Sequence, residues 1–416
     1  MEYDVIIIGA GPAGIAAAKS ADENGAKSIL LIDRGMVTGG ILLQCIHDGF
    51  GGRKYGKMLT GPTYAQKAYN EIKDKKSITL WLDTVVVSLT AKKEITCVNP
   101  ERGLQKATGK TIILAMGCRE RPRGAIRTPG QRLAGIVTAG AAQRMVNCFG
   151  FIPGKKIVIL GSGDIGLIMA RRLTLEGCEV KAVLEISSYS NGLERNITQC
   201  LNDFNIPLYL SYTIIDIHGK DRVTGITVAK VDEKLQPIDG TEFVIDCDTV
   251  ILSVGLVPER TLVNSLPMGF DAETNGPLVD QHRETQLAGF FAAGNVVQVH
   301  NLVDDVADEA TLAGKFAAKK VQGEENYDSR LVQIKNGDGI RTCVPQFLTW
   351  SKNETSIKFY IRVAKLFKEK HLVLKSGDKI LWDQYVTKAR PSELQILDIP
   401  AEFLNAMQDE ITIEVK

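Results

Sequence analysis

The sequence DVIIIGAGPAG at residues 4–14 decides the fold of the first part of the chain. Its apolar run predicts a buried strand, and the glycines Gly9, Gly11 and Gly14 follow before an alanine-rich helix. In such a turn the first glycine permits the sharp bend, the second lets a pyrophosphate approach, and the third allows close helix–sheet packing. Asp33 ends the next predicted strand, where its carboxylate can bind ribose hydroxyls. This unit predicts a dinucleotide with its phosphates at the helix N-terminus.

A second unit repeats this pattern at residues 156–185. The turn GSGDIG follows a predicted strand, and the spacing from its last glycine to Glu185 equals the spacing from Gly14 to Asp33. A carboxylate there binds a ribose diol and repels a 2′-phosphate, and residues 186–190 contain no arginine. The pattern favours NAD(H) over NADP(H), with ATP or ADP as the alternative ligand. The candidate contacts in this turn are Gly161, Gly163, Asp164, Ile165 and Gly166.

Composition excludes several classes of protein. The 416 residues include 50 Lys and Arg against 49 Asp and Glu, so the basic excess of a nucleic-acid-binding protein is absent. The longest apolar runs, such as residues 5–10 and 112–116, are too short for a transmembrane segment. The N-terminal residues lack the positive charges of a signal peptide. We therefore expect a cytoplasmic protein without a nucleic-acid partner.

The eight cysteines have no recognisable metal or redox spacing. The nearest two in sequence are Cys97 and Cys118, so the chain has no CxxC, no CxxxxC and no iron–sulfur ligand set. We predict no metal site, and most of the cysteines are expected to be small buried side chains.

Five motifs occur in the order GAGPAG, TIILAMG, GSGDIG, DTVILSVGLVPE and GFFAAGN. This order resembles the two-dinucleotide flavoprotein superfamily that includes thioredoxin and glutathione reductases, over about residues 1–325. The resemblance implies an α/β fold with two Rossmann-like, three-layer dinucleotide-binding domains and β-meanders, and FAD and NAD(H) as cofactors. We read the meanders at residues 78–98 and 206–245. GFFAAGN resembles the motif that holds the FAD ribityl chain, with Asn295 where the family usually has Asp.

The predicted domains follow from these motifs. Residues 1–118 and 248–327 would form the two parts of the FAD-binding domain, and residues 119–247 the NAD-binding domain. Residues 328–416 alternate apolar and polar side chains, which predicts a small β-rich C-terminal domain for interactions. Outside the second glycine turn, the implied cofactor contacts are Gly9, Gly11, Pro12, Ala13, Gly14, Asp33, Arg34, Gly40, Ala115, Gly117, Glu185, Gly255, Gly294, Asn295 and Leu302.

Three residues are candidates for chemistry at the flavin, which the family would place near residues 44–49 and 299–301. Cys45 could contact or tune the ring, and an inert packed thiol is the alternative. His47 and His300 could exchange a proton with the flavin, and a hydrogen bond that braces the loop is the alternative. The helix after His300 would direct its positive dipole end at charge that develops on the reduced ring.

The subgroup follows from what the chain lacks. Disulfide reductases of this superfamily need two cysteines beside the flavin, whereas the loop GGILLQCIHDGF holds only Cys45 and the stretch TAGAAQRMVNCFGF only Cys148. GGILLQCIHDGF, CRERPRGAIRTPGQRLAGIVTAGAAQ and VHNLVDDVADEA resemble the flavoprotein subunits of amine and opine dehydrogenases or oxidases, and relatives associated with glycerol-3-phosphate dehydrogenase. The resemblance implies electron transfer among FAD, NAD(H) and a partner dehydrogenase subunit or iron–sulfur acceptor protein. The alternatives are a stand-alone NADH oxidase or NADH:acceptor reductase, and a regulatory dinucleotide-binding protein.

Overall fold

The computed structural model describes residues 1–324, 330–351 and 354–416, which form two compact units. One unit joins residues 1–118 to residues 258–416, and the other comprises residues 119–257. The predicted domain boundary between residues 327 and 328 lies outside the described residues. Each unit contains a parallel sheet and an antiparallel meander, and the predicted α/β class is confirmed.

Residues 1–118 contain the first glycine-rich turn between a buried strand and a helix. Five of the seven residues of the first strand are buried, as expected for a parallel strand covered on both faces. The strands here are β1 (Glu2–Ile8), β2 (Ile29–Ile32), β3 (Asp48–Phe50), β4 (Leu59–Thr60), β5 (Ile78–Trp81), β6 (Val85–Leu89), β7 (Glu94–Asn99) and β8 (Gly103–Leu114), and the helices are α1 (Pro12–Glu23), α2 (Gly52–Tyr55) and α3 (Gly61–Asn70).

Residues 119–257 repeat this architecture. The strands are β9 (Cys118–Glu120), β10 (Ile136–Thr138), β11 (Lys156–Leu160), β12 (Glu179–Glu185), β13 (Leu208–Leu210), β14 (Tyr212–Gly219), β15 (Val223–Lys230), β16 (Phe243–Asp246), β17 (Thr249–Leu252) and β18 (Leu256–Pro258), and the helices are α4 (Arg123–Ile126), α5 (Ala139–Phe149), α6 (Asp164–Leu175) and α7 (Glu194–Cys200). The parallel sheet has the order β10-β17-β11-β12-β13, and β14-β15-β16 form the meander.

The second unit extends beyond the predicted boundary at residue 247. β17 lies between β10 and β11 in the parallel sheet of this unit, so residues 248–257 belong with it and not with the first sheet. The apolar pattern of β17 correctly predicts a buried strand, but such a pattern does not specify which of two similar sheets the strand joins.

Residues 258–416 supply the remaining elements. They are β19 (Phe290–Ala292), β20 (Arg330–Asn336), β21 (Ile340–Val344), β22 (Phe347–Trp350), β23 (Ser356–Val363), β24 (Phe367–Ser376), β25 (Lys379–Ala389), β26 (Gln395–Pro400) and β27 (Glu410–Val415), with helices α8 (Val303–Val321) and α9 (Ala401–Leu404). The last eight strands form two sheets, β22-β20-β27-β24-β25 and β21-β23-β26, around their own apolar core. Trp350 lies in this core and Trp382 packs against it, whereas Tyr385 is exposed.

The first sheet is completed by β19. Its parallel part has the order β5-β2-β1-β8-β19, and β7 and β6 continue antiparallel from the first half of β8. Helices α1 and α8 lie in close contact. Gly314 permits this, since a Cβ there would lie 2.2 Å from the Ala17 carbonyl oxygen. Alanines of both helices share one core, and this packing brings the start of α8 near the first glycine turn.

Candidate functional site

The three glycines of the first turn serve different purposes in the structure. Gly9 has a left-handed φ of +107°, and a Cβ there would lie 2.4 Å from the Ala115 carbonyl oxygen. A Cβ at Gly14 would lie 1.7 Å from the Gly9 carbonyl oxygen, so this glycine lets α1 approach β1. Gly11 is the N-cap of α1, and a Cβ there would meet no atom within 4 Å. The turn therefore leaves open space at a helix N-terminus, where a phosphate binds well, with Pro12 and Ala13 in the first helical turn.

Asp33 holds the same turn from the end of β2. Its Oδ2 accepts a hydrogen bond from the Ala10 N–H at 2.7 Å, and its Oδ1 accepts one from the Gly35 N–H at 2.7 Å. Each carboxylate oxygen has a further lone pair, so both can also accept from the two hydroxyls of a ribose. Arg34, the neighbouring predicted contact, is exposed.

The loop that carries Gly40, Cys45 and His47 begins beside Gly11. The Gly39 N–H donates to the Ala10 carbonyl at 2.8 Å, and a Cβ at Gly40 would lie 3.2 Å from the Gly11 Cα. Gly40 thus belongs to the same cradle as the first turn.

Cys45 and His47 are half-buried residues farther along this loop. The Cys45 thiol donates to the Ile41 carbonyl at 3.3 Å, and the His47 ring packs 5.2 Å from the Phe50 ring. The roles of Cys45 and His47 at the flavin, and the alternatives to them, stay predictions.

The predicted ribityl-binding motif meets the first turn. Gly294 has a left-handed φ of +78°, and a Cβ there would lie 3.0 Å from the Ala13 Cβ. The Asn295 Nδ2 lies 3.7 Å from the Cys118 Sγ, directly after the TIILAMG segment that contains Ala115 and Gly117. The structure thus brings the predicted residues of four separate segments into one site.

His300 is not a surface residue at the mouth of α8. Its side chain is fully buried, with Nε2 3.3 Å from the Glu309 Oε2. The His300 N–H and Nδ1 face the Asn295 Oδ1 at 3.0 and 3.3 Å. Burial lowers the pKa of His300, although Glu309 opposes this effect. The expected proton exchange between His300 and the flavin stays a prediction.

Charged residues that the sequence analysis did not single out surround the start of α8. Leu302 is the N-cap of this helix and is exposed, whereas Asp304 and Asp305 in the first turn are buried. The Arg53 N–H donates to Asp304 at 3.0 Å, and the Arg53 guanidinium pairs with Asp305 at 2.8 Å. Glu309, one turn further on, is completely buried and accepts the Gly294 N–H at 2.6 Å.

One signal in the sequence could have identified Glu309. Val306, Ala310 and Ala313 define the buried face of α8 at helical spacing, and Glu309 lies on that face. A charged residue on a buried helical face is rarely fully enclosed unless it has a partner.

The second turn repeats the first in detail. The Gly9 N–H donates to Ile32 and the Gly161 N–H donates to Leu184, both at 2.7 Å. The Ser162 N–H donates to Glu185 at 2.9 Å, as the Ala10 N–H does to Asp33.

The glycines of the second turn also behave like those of the first. A Cβ at Gly161 or Gly166 would clash with backbone, whereas a Cβ at Gly163 would have only one atom within 4 Å. The space at the start of α6 therefore fits a phosphate as well as the space beside Gly11 does.

The other predicted residues of the second unit differ in their surroundings. Glu185 is buried and also accepts from the Ser162 hydroxyl and the Ser187 N–H. Asp164 accepts from the Leu193 N–H and the Asn196 amide, whereas Ile165 is half-buried. Gly255 is exposed with φ +102° and lies in this unit.

Two kinds of feature were not found in the part of the chain that the structure describes. No group of three or more His, Cys, Asp or Glu residues there is arranged to hold a metal ion. No helix within the same residues has the length and apolarity to cross a bilayer.

Comparison with known proteins identifies the family. Residues 3–315 match the pyridine nucleotide-disulphide oxidoreductase family, which covers more than half of the chain. The chain belongs to this family. The protein is therefore an FAD- and NAD(P)H-dependent oxidoreductase, and the predicted enzyme class and pair of cofactors are confirmed. The choice of NAD(H) over NADP(H) stays a prediction.

Two curated relatives are subunits of larger enzymes. The chain is 24% identical to hydrogen cyanide synthase subunit HcnB of Pseudomonas protegens, over 82% of this chain and 74% of that protein. It is also 24% identical to an opine oxidase subunit of Agrobacterium tumefaciens, over 76% of this chain and 64% of that protein. The chain thus spans less than two thirds of the length of this opine oxidase subunit.

A solved structure supports the fold. The thioredoxin reductase of T. acidophilum superposes with a TM-score of 0.60 at 21% identity, over 78% of this chain and 98% of that chain. At this identity the similarity establishes the arrangement of elements alone.

Proposed function

We propose that this protein is the flavoprotein subunit of a heteromeric dehydrogenase or oxidase, and that it passes electrons among FAD, NAD(H) and a partner subunit that acts on an amine, an opine or glycerol 3-phosphate. The observation that carries this proposal is the cysteine pattern. The family includes reductases that use a dithiol, but even the nearest two cysteines of this chain, Cys97 and Cys118, are too far apart in sequence to form such a motif. A flavoprotein that passes electrons to a partner subunit has this family's fold but needs no CxxC or CxxxxC dithiol.

Burial adds to this argument. Burial raises the pKa of Cys97 and Cys200 to about 11 and that of Cys247 to about 12, so these thiols are poor nucleophiles near neutral pH. Burial also raises the pKa of Cys178 and Cys343. The remaining three thiols, Cys45, Cys118 and Cys148, come from three separate segments.

The relatives support a partner. The names of both curated relatives describe subunits, one of hydrogen cyanide synthase and one of opine oxidase. FAD can accept a hydride equivalent from an organic substrate or from NADH. In this proposal the organic substrate binds to the partner subunit.

The residues of the site have defined roles in this proposal. The pyrophosphate of FAD binds in the open space at Gly11 at the start of α1, in a turn that Gly9 and Gly14 make possible, and Asp33 binds the adenosine ribose. The N-terminus of α8 faces the flavin, where its dipole stabilises negative charge. Glu185 binds the adenosine ribose of NAD(H) and disfavours the 2′-phosphate of NADP(H).

An anaerobic titration tests the proposal. The purified yellow protein is titrated separately with NADH and NADPH, and loss of flavin absorbance is recorded. We expect NADH to bleach the flavin at a concentration at least about tenfold lower than NADPH, which corresponds to about 1.4 kcal/mol in binding. We also expect untagged protein from its own cells to copurify with a second subunit. The purified protein should show no disulfide reductase activity with thioredoxin.

The contrary results are equally specific. Turnover of thioredoxin that is lost in the Cys45→Ser or Cys148→Ser variant would establish a disulfide reductase. A solitary protein that turns over NADH with oxygen would establish the stand-alone oxidase. A flavin that neither nucleotide bleaches would favour the regulatory alternative.

A further inference from the structure

A cluster of three charged or titratable side chains lies beneath the candidate FAD site. We call it the Glu309 cluster, and it consists of Arg283, His300 and Glu309. All three side chains are 0–1% exposed, with Arg283 Nε 3.2 Å from Glu309 Oε1 and His300 Nε2 3.3 Å from Glu309 Oε2. Arg283 adopts a left-handed φ of +69°, which is uncommon for a residue with a side chain. A buried charge and a strained backbone each cost stability, so folding alone does not favour this arrangement at Arg283.

The cluster contacts two predicted cofactor-binding residues. Glu309 Oε2 accepts the Gly294 N–H at 2.6 Å. The His300 N–H donates to the Asn295 Oδ1 at 3.0 Å, which identifies that atom as the amide oxygen because a backbone N–H can only donate. The Asn295 Nδ2 carries two hydrogens, so it can donate to the Cys118 Sγ at 3.7 Å and also to a ribityl hydroxyl. The cluster thus fixes both the turn and the side chain that follow β19.

His300 lies between two hydrogen-bond acceptors. Its Nδ1 is 3.3 Å from the Asn295 amide oxygen, and its Nε2 is 3.3 Å from the Glu309 carboxylate. Neutral imidazole carries one N–H and can satisfy only one of these oxygens, whereas the imidazolium form donates to both. Among the described residues, His300 Nε2, Glu309 Oε1 and Arg283 Nε make close ion-pair contacts but no well-aligned hydrogen bond. The two acceptors therefore fit the imidazolium form of His300, which carries one proton more than neutral imidazole.

Burial opposes that extra proton. Burial lowers the pKa of His300, Glu309 and Asp305 on α8 raise it, and Arg283 and Arg362 lower it further. The Tyr360 ring, on β23 beside Arg362, packs against the imidazole at 5.8 Å. Two anions and two cations thus face His300, and burial leaves its pKa lowered. One further negative charge in the neighbourhood would favour the imidazolium form.

We propose that His300 takes up one proton from solvent when FAD bound in this site is reduced, and that Glu309 and Arg283 are positioning residues for this proton. Bound FAD would gain two electrons and one proton, from NADH as a hydride or from a photochemical donor as single electrons with a proton from solvent, and the donor would leave oxidised. The net negative charge thereby added to the site is matched by the proton on His300, which returns to solvent when the electrons leave. This inference rests on the FAD site but on neither NAD(H) nor a partner.

Nuclear magnetic resonance of the histidine rings tests the proposal directly. The chain has five histidines, and the His300→Asn variant identifies the His300 signals by their absence. In the FAD-bound protein at pH 7.5 we expect neutral imidazole in the oxidised state and imidazolium after photoreduction. The same protonation state of His300 before and after reduction would overturn the proposal.

The midpoint potential of the bound flavin gives a second readout. In a two-electron couple, each proton taken up on reduction adds about 30 mV per pH unit to the slope of midpoint potential against pH, and about 30 mV corresponds to a tenfold change in the equilibrium constant. Loss of one proton should therefore flatten this slope by about 30 mV per pH unit between pH 6 and 9. We expect this loss in His300→Asn and Glu309→Gln. The control, His371→Asn, removes an exposed histidine that pairs with Asp383 and should keep the wild-type slope.

Each outcome of these measurements decides between the alternatives. Equal slopes in wild type and His300→Asn would contradict proton uptake by this residue. If Glu309→Gln does not fold, the wild-type resonance experiment still decides the question. Photoreduction requires neither NADH nor a second subunit, so a protein that fails the proposed electron route can still pass or fail this test.

Discussion

Gly11 and Gly14 lie in the same turn, but a side chain would meet different surroundings at each. Gly11 has an ordinary φ of −74° and open space, whereas a Cβ at Gly14 would overlap the Gly9 carbonyl oxygen. If a pyrophosphate binds in the space at Gly11, a side chain there should weaken cofactor binding and leave the stability of the fold unchanged. The two glycines therefore make a matched pair for separating binding from folding.

We predict that Gly11→Val changes the stability of the flavin-free protein by no more than about 0.5 kcal/mol, because nothing is displaced. FAD affinity should fall at least about tenfold, or about 1.4 kcal/mol. Thermal unfolding of the flavin-free protein and quenching of FAD fluorescence measure the two effects. Gly14→Ala is the control and should lose stability instead. Wild-type FAD affinity in Gly11→Val would place the pyrophosphate elsewhere.

At the residue scale, the sequence predicts local chemistry well and distant pairing poorly. Asp33 and Glu185 hold their glycine turns as their spacing indicates, since the turn, strand and carboxylate form one continuous unit. Arg283 precedes β19 and Glu309 lies within α8, and only packing of these two elements brings the side chains together. No local pattern identifies such a pair, although a glutamate on a buried helical face is a signal that a partner must exist.

At the scale of elements, Glu71 at the end of α3 joins three segments. Its carboxylate accepts hydrogen bonds from Lys19 of α1 at 2.8 Å and from the Tyr55 hydroxyl at 2.6 Å, and Lys54 lies 3.2 Å away. Burial raises the pKa of Glu71, but the hydrogen bonds from Lys19 and Tyr55 and the charge of Lys54 outweigh it, so the net pKa is lowered. A lowered pKa means that the folded state favours the ionised carboxylate.

We predict that Glu71→Gln destabilises the protein near pH 7 and that the difference from wild type becomes smaller in acid. Because the folded pKa lies below the ordinary value of 4.5, the contribution is complete above about pH 5 and is lost as the pH falls through the folded pKa. The groups are partly exposed, so the loss at pH 7 should be about 1 kcal/mol or less. Urea unfolding at pH 7 and pH 3.5 measures it. The exposed Asp74→Asn is the control, and a constant difference at both pH values would contradict the prediction.

Strand partners are less predictable than strands. The sequence predicts antiparallel meanders at residues 78–98 and 206–245, but in each case the first strand pairs in parallel with the dinucleotide sheet. β5 pairs with β2, and β13 pairs with β12. Only the later strands form the meanders. Both meanders are confirmed, and the difference is confined to β5 and β13, because strands of three or four residues carry too little pattern to distinguish a parallel edge strand from a hairpin strand.

At the scale of the whole molecule, the apolar cores follow the two units. Each of the five core clusters formed by the described residues lies within one unit. The C-terminal strands have a core of their own, but Val344 and Tyr360 also join the core beneath the first sheet. The β-rich C-terminal part that the sequence predicts is thus packed into the first unit, and an alternating pattern of side chains cannot reveal that second attachment.

Residues 119–257 leave and rejoin the first unit at adjacent points. The Glu259 N–H donates to the Gly117 carbonyl at 2.9 Å, so the chain ends on either side of this segment lie close together. We predict that replacing residues 119–257 with a short glycine linker leaves a folded protein, because no apolar core is cut. This variant should still take up FAD and be photoreduced, but NADH should no longer bleach it, since Glu185 and the second glycine turn are removed.

Absorbance spectra of the truncated and full-length proteins under the same anaerobic conditions measure both properties. A truncated protein that remains colourless after addition of FAD would show that the flavin site needs residues of the second unit, of which Gly255 is the predicted one. Bleaching by NADH in the truncated protein would place the nicotinamide nucleotide in the first unit and contradict the assignment of Glu185. A truncated protein that stays yellow and is not bleached by NADH would show that the two nucleotide sites are independent. The turn around Gly11 would then bind its ligand without the turn around Gly163.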